Sequence, residues 1–204
     1  MERKPNSYKT LARPSEVVIF TDKKSRFYGY AFPVDTVESI KPLLEELRKK
    51  YPKANHVCYA WQLGADEIQY RANDDGEPRN SAGSPIHGQI QSFEITNVIV
   101  AVVRFFGGTK LGVGGLINAY RSTARMALEA SSIVEKRIKI RLKLTFDYVS
   151  LNKVMHAIKR QKLEIISQNL ELDCSITLLS DKKDLENTQR TLIGIQGLKI
   201  EILT

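Results

Sequence analysis

The chain has 204 residues, 42% of them hydrophobic and 26% charged, enough to bury one large core or two small ones. Its formal charge is +8, which favours polyanionic partners such as nucleic acid, ribosome or acidic proteins. Two cysteines, Cys58 and Cys174, lie far apart without a CxxC pair, which excludes a disulfide framework and a structural zinc site and fits a reducing cytoplasm. The N-terminal MERKPNSYKT is followed by no apolar segment, so no secretory signal is expected. The longest clean apolar run, Val98–Val103, is far short of a membrane span.

Glu16–Thr21 and Arg26–Val34 read as strands of a hairpin around Asp22–Ser25. Asp35 and Glu38 have capping-box spacing ahead of Ile40, Leu43, Leu44 and Leu47, which recur at helical period. Pro42 must then fall in the first turn, moving the start later, or kink the helix. His56–Leu63 and Glu67–Ala72 form a second hairpin across Gly64–Asp66, with Tyr59 and Trp61 on one strand face as core residues. Ala82–Phe93 reads as helix, and Asn97–Phe106 as a central strand buried on both faces. In the helix Val113–Ser131, Leu116, Tyr120, Ala124, Ala127 and Leu128 form one apolar stripe, while Arg121 and Arg125 project elsewhere, one turn apart.

Near Ser132–Arg137 the pattern starts afresh. Ile138–Tyr148 alternates as a half-buried strand, and Leu151–Gln161 is an amphipathic helix with Ser150 as its expected cap. Leu163–Gln168 and Leu172–Leu179 follow as strands, Asp181 is the expected cap of a helix near Lys182–Gly194, and Leu198–Leu203 is the last strand. This order, βαββαβ, is ferredoxin-like. The predicted fold class is α+β, with an N-terminal domain at 1–136 and a ferredoxin-like domain at 137–204.

Val98–Tyr120, VIVAVVRFFGGTKLGVGGLINAY, joins the central strand to its helix through Gly107, Gly108, Gly112, Gly114 and Gly115, with Lys110 among them and Arg104 just ahead. A basic, glycine-rich strand-to-helix turn has the makings of a phosphate cradle. The spacing is that of neither a Walker A loop nor GxGxxG, because Val113–Gly114 stands where the former needs lysine and Ser/Thr, and no acid follows for a ribose. The other reading of the loop is a tight packing turn. Asn73–Pro85, NDDGEPRNSAGSP, sets Asp74, Asp75 and Glu77 together. Three carboxylates can hold a hard cation, yet the spacing is not that of an EF-hand and Asp-Asp-Gly is a turn signal. Ser81 and Ser84 are candidate helix caps, and Ser81 has no GxSxG context to make it a nucleophile. His56 could act as a general base but more simply serves as a hydrogen-bonded structural residue; His87 and His156 make no metal spacing.

RFFGGTKLGVGGL at Arg104–Leu116, Ala119–Tyr120 behind it, DDGEP and AG.P ahead, together with Ser25–Arg26–Phe27 and His56, resemble the YigZ/IMPACT family over nearly the whole chain. Ser81 departs from the threonine of many relatives but keeps the hydroxyl. The resemblance implies an N-terminal βαβ fold shared with domain IV of elongation factor G and a ribosomal-protein domain, and a C-terminal domain similar to domain V of that factor. Both relatives contact RNA. It also implies translational regulation, which eukaryotic members perform by competing for the activator of a stress-responsive kinase; those members carry an RWD domain with no counterpart in these residues. The leading expectation is a non-enzymatic, cytoplasmic RNA- or ribosome-binding regulator of translation, without cofactor or metal, whose partners include RNA, the ribosome or a translation-related protein. Its expected nucleic-acid contacts are Arg26, Arg104, Lys110, Arg121 and Arg125, beside a pocket of His56, Asp74, Asp75, Glu77 and Ser81. Two other classes stay open: an enzyme acting on a small phosphorylated or carboxylated molecule, with magnesium as an option, and a protein-interaction module.

Overall fold

A computed structural model describes residues 5–171 and 173–203. Leu172, the first residue of one expected strand, lies outside them, as do residues 1–4 and Thr204. The chain separates into two compact units, one ending at Lys136 and the other starting at Arg137. No described helix is long and apolar enough to cross a membrane.

The first unit is a five-stranded sheet between helices. β2 (Val18–Asp22), β3 (Ser25–Pro33), β4 (His56–Leu63), β5 (Gln69–Asn73) and β6 (Val98–Phe105) lie in the order β2-β3-β6-β4-β5. Every pairing is antiparallel, so β3 and β4, each antiparallel to β6, run the same way and are joined by the helix α1 (Ile40–Lys50). β6 is central because it is apolar on both faces. Val98, Val100 and Val102 pack in one cluster with α2 (Gly83–Ser92) and α3 (Gly112–Glu129). Ile99, Ala101 and Val103 pack in the clusters that hold Ile40 and Leu47 of α1. All six side chains are fully buried, and the five larger ones each contribute about 1.5–3 kcal/mol of apolar transfer.

The expected capping box of α1 does not form. The helix starts at Ile40 behind Ser39, whose hydroxyl donates to Thr36 O at 2.7 Å, and neither Asp35 nor Glu38 caps it. A start at Asp35 would have put Pro42 in the helix interior, against the carbonyl four residues back; starting at Ile40 leaves it in the first turn. A second departure is the small sheet of β1 (Ser7–Leu11) and β7 (Ile133–Arg137), neither of which the sequence pattern reveals. β7 is exposed along its whole length, so it has no buried face to produce an alternation.

The second unit contains β8 (Lys139–Asp147), α4 (Leu151–Arg160), β9 (Glu164–Leu170), β10 (Asp173–Asp181), α5 (Leu185–Ile193) and β11 (Lys199–Leu203). Its antiparallel sheet has the order β11-β8-β10-β9, the ferredoxin-like arrangement. Leu142, Leu144, Ile176 and Leu178 pack in one core with Val154 and Ile158 of α4 and Leu192 of α5. Two expected caps are absent. Ser150 donates its hydroxyl to Gln196 O at 3.3 Å, and Asp181 is held by Arg137 Nη1 at 2.9 Å while a 3-10 turn at Lys182–Asp184 precedes α5.

The loop glycines divide by role. A Cβ on Gly107 would lie 2.0 Å from the backbone carbon of Lys24, so this position is closed by packing. Gly108 and Gly112 have φ of +86° and +73°, and a Cβ on Gly114 would meet nothing within 4 Å. Gly107→Ala is expected to cost at least about 2 kcal/mol in urea unfolding of the full chain. Gly114→Ala, in open space inside a helix, is expected to stabilise by roughly 0.5 kcal/mol.

Candidate nucleotide-phosphate pocket

Register places the site. Arg104, near the end of β6, stands opposite Phe27 on β3 and His56 on β4, so the three share the sheet face that carries α2 and α3. A charged residue on this face must find an opposite charge, since an unpaired buried guanidinium is costly. Glu77 supplies it: Arg104 Nη1 donates to Glu77 Oε1, with Arg104 5% and Glu77 9% exposed. Tyr120 of α3 donates its hydroxyl to the same oxygen at 2.8 Å. The guanidinium carbon also lies 5.5 Å from the ring centre of Phe27 and 5.7 Å from that of Phe106, in cation–π range of both.

The turn before α2 is built by carboxylates with separate duties. Asp74 Oδ1 accepts from the amides of Ala82 and Gly83 at 2.9 and 2.8 Å, and its Oδ2 from Asn80 N at 2.8 Å. Asp74 is therefore the N-terminal cap of α2, in place of the expected Ser81 and Ser84. Those hydroxyls instead donate to Pro78 O at 2.6 Å and Asn80 Oδ1 at 3.2 Å. Asp75 accepts from Val57 N at 2.6 Å and pairs with Arg48 at 2.8 Å. Each acid answers a different donor set, and among the described residues no group of His, Cys, Asp and Glu is arranged to hold a metal ion. The acidic cluster is thus the scaffold of the turn.

Beside this scaffold opens a pocket of about 490 Å³, lined by Asn55, His56, Glu77, Pro78, Arg104, Phe106, Lys110, Leu111, Gly112, Val113 and Leu116. Its floor is the buried ion pair, and its rim includes the exposed Lys110 and the first turn of α3. That turn begins after Leu111, a side chain that cannot accept from the free amides, so they remain available to an anion. Gly112 and Gly114 leave the backbone open to close approach. His56 Nδ1 lies 2.8 Å from the carbonyl of Asp75 and donates to it, which turns Nε2 toward Glu77 Oε1 at 3.9 Å.

Of the residues picked from sequence, His56, Glu77, Arg104, Lys110 and Gly112 converge on this pocket. Asp74 and Asp75 sit behind it in the turn, and Ser81 is fully buried with its hydroxyl engaged, so none of the three lines it. Arg26 alternates with Phe27 and points from the opposite face of the sheet. Arg121 and Arg125 are exposed on α3 away from the lining, Arg125 pairing with Glu129 at 2.7 Å. Sequence reasoning missed Asn55, whose Oδ1 accepts from Phe106 N at 2.8 Å, and Phe106 itself as a wall. Tyr120 reads from sequence as part of the apolar stripe and of the family motif; a phenol in such a stripe needs a partner for its hydroxyl, which is the signal for its contact with Glu77.

Burial pushes the Tyr120 phenol far up, and it pushes the Cys58 thiol up as well, the two side chains being 3.3 Å apart. Both stay protonated, so Cys58 is an inert core residue rather than a nucleophile. His87 stacks on Tyr70 at 4.3 Å and hydrogen-bonds Gln62 at 3.1 Å, and burial lowers its pKa.

This site defines an α+β protein with an ion-pair-floored basic pocket at a strand-to-helix junction. Residues 23–128 match the family model described as the Impact N-terminal domain. The chain is 32% identical over 180 residues to an IMPACT family member of Haemophilus influenzae, covering 85% of this chain and 86% of the relative. Against IMPACT family member YigZ of Escherichia coli it is 41% identical over 108 residues, 52% of this chain and 53% of that protein. A crystal structure described as that of a hypothetical protein superposes at TM-score 0.77 with 26% identity, over 98% of both chains. The chain belongs to the IMPACT family.

Glu77→Leu leaves Arg104 buried without its counter-charge and is expected to cost about 3–5 kcal/mol in urea unfolding. Adding Arg104→Met should restore a large part of that loss, because both charges are then gone. For His87 the folded state favours the neutral ring more than the unfolded chain does, where the imidazole has its ordinary pKa near 6.5. Below that value the unfolded state binds more protons, so stability falls as pH drops. Thermal melts at pH 7.5 and 5.0 are expected to show a smaller acid loss in His87→Gln than in wild type.

Proposed function

We propose that the protein binds RNA, alone or within the ribosome, through this pocket, and regulates translation by doing so. One observation carries the reading: the exposed Lys110 and the uncapped amides of α3 border a single pocket, above a fixed guanidinium. A lysine, a helix N-terminus and open glycines together suit a phosphate oxygen. The surplus of positive charge suits a polymer that carries many phosphates.

Arg104, neutralised by Glu77, acts within this proposal as a fixed floor, while Lys110 is the cation that meets a phosphate. Arg26, Arg121 and Arg125 lie on other surfaces and extend the basic field to flanking phosphates. The kinship of the two units with domains IV and V of elongation factor G belongs to the same proposal, as do the cytoplasmic location and a translation-related protein partner.

Filter binding or sedimentation with ribosomes and ribosomal RNA tests the reading. Lys110→Glu is expected to weaken binding about tenfold and to flatten the dependence of log affinity on log salt by about one contact. Unchanged affinity and unchanged salt slope would sink the assignment.

A further inference from the structure

The geometry points to a more specific occupant: we infer that the pocket receives one unpaired nucleotide, its base against Phe106 and its phosphate at Lys110 and the first turn of α3. The inference rests on the RNA reading and narrows it from a phosphate backbone to a single splayed-out nucleotide. A cradle meant only for a backbone needs cations and amides. This pocket has in addition an aromatic platform and apolar walls.

Phe106 is 46% exposed, which is costly for a phenyl ring with nothing laid on it. It is nevertheless held in place. Its amide donates to Asn55 Oδ1 at 2.8 Å, and its ring lies over the buried Arg104 guanidinium, which in turn lies over Phe27. Phe106 thus combines a contact to the buried guanidinium with an exposed surface that a further flat group can cover. Pro78, Leu111, Val113 and Leu116 supply apolar wall around it. A volume of about 490 Å³ falls in the range of small-ligand sites.

Polar groups are few and placed for the rest of a nucleotide. Lys110 and the free amides at Gly112 and beyond can take the phosphate. His56, its Nδ1 committed to Asp75 O, leaves Nε2 on the pocket side for a hydrogen bond with a ribose hydroxyl. Arg104 keeps its Nε without a hydrogen-bond partner, a buried donor in a residue that lines the pocket. Bases in a duplex have both faces covered by their neighbours, so only an unpaired nucleotide can lie on Phe106.

The test is fluorescence anisotropy with a labelled single-stranded oligoribonucleotide and the same sequence in a duplex, with a nucleoside 5′-monophosphate as competitor. The expected result is single-strand affinity at least about tenfold above duplex affinity, and competition by the monophosphate. Phe106→Ala should weaken single-strand binding by about fivefold to a hundredfold and leave duplex binding unchanged. Phe106→Tyr should restore it, which separates stacking from loss of structure at this exposed position. Equal affinity for both forms, unaffected by Phe106→Ala, would overturn the nucleotide inference while leaving the RNA reading intact. Binding of the monophosphate in calorimetry, with no binding of either RNA form, would overturn the RNA reading and the inference that rests on it. No binding of any of them would overturn both.

Discussion

The contact between Arg104 and Glu77 joins three parts of the first unit that sequence separates widely. Arg104 comes from the central strand, Glu77 from the turn before α2, and Tyr120 from the middle of α3, yet all three meet at one carboxylate oxygen. Two charges withdrawn from water attract strongly but are expensive to desolvate, so such a pair holds geometry more reliably than it adds stability. The further donor from Tyr120 and the two aromatic rings near the guanidinium offset part of that expense. With those groups pinned, the turn, the strand end and the start of α3 have one arrangement, and the pocket beside them is formed before a ligand arrives.

The acidic turn follows the same logic. Asp74 caps α2 and Asp75 ties the turn to β4 and to Arg48. Asp75 also offers its carbonyl to His56 and thereby fixes which imidazole nitrogen faces Glu77. Each of the three acids in these four positions holds a structural partner: the α2 amides, Val57 N with Arg48, or Arg104.

Much of this was legible from residue order. The alternation in His56–Leu63 and the doubly apolar run at Val98–Val103 mark two strands whose register fixes where His56 and Arg104 meet. The glycine loop also declared itself, because positive φ at Gly108 and Gly112 and close packing at Gly107 require that residue. What stayed hidden depends on contacts distant in sequence. The pairing of β1 with β7 joins the two ends of the unit, and neither strand carries an alternation. Which acid caps α2 was equally invisible, since Asp74 reaches its amides from eight and nine residues upstream while the nearer serines turn to other acceptors. Arg26 and Arg104 looked alike as basic residues, and only the pleat, which sends them to opposite faces, separates them.

The central proposal is that RNA enters the space between Phe106, Lys110 and the start of α3. Ultraviolet crosslinking of the full chain to ribosomal RNA, with the crosslinked peptides mapped, addresses that directly. Crosslinks concentrated in residues 104–116 and 55–78 are the predicted result. Crosslinks confined to the second unit, or to the face of the sheet that carries Arg26, would contradict it.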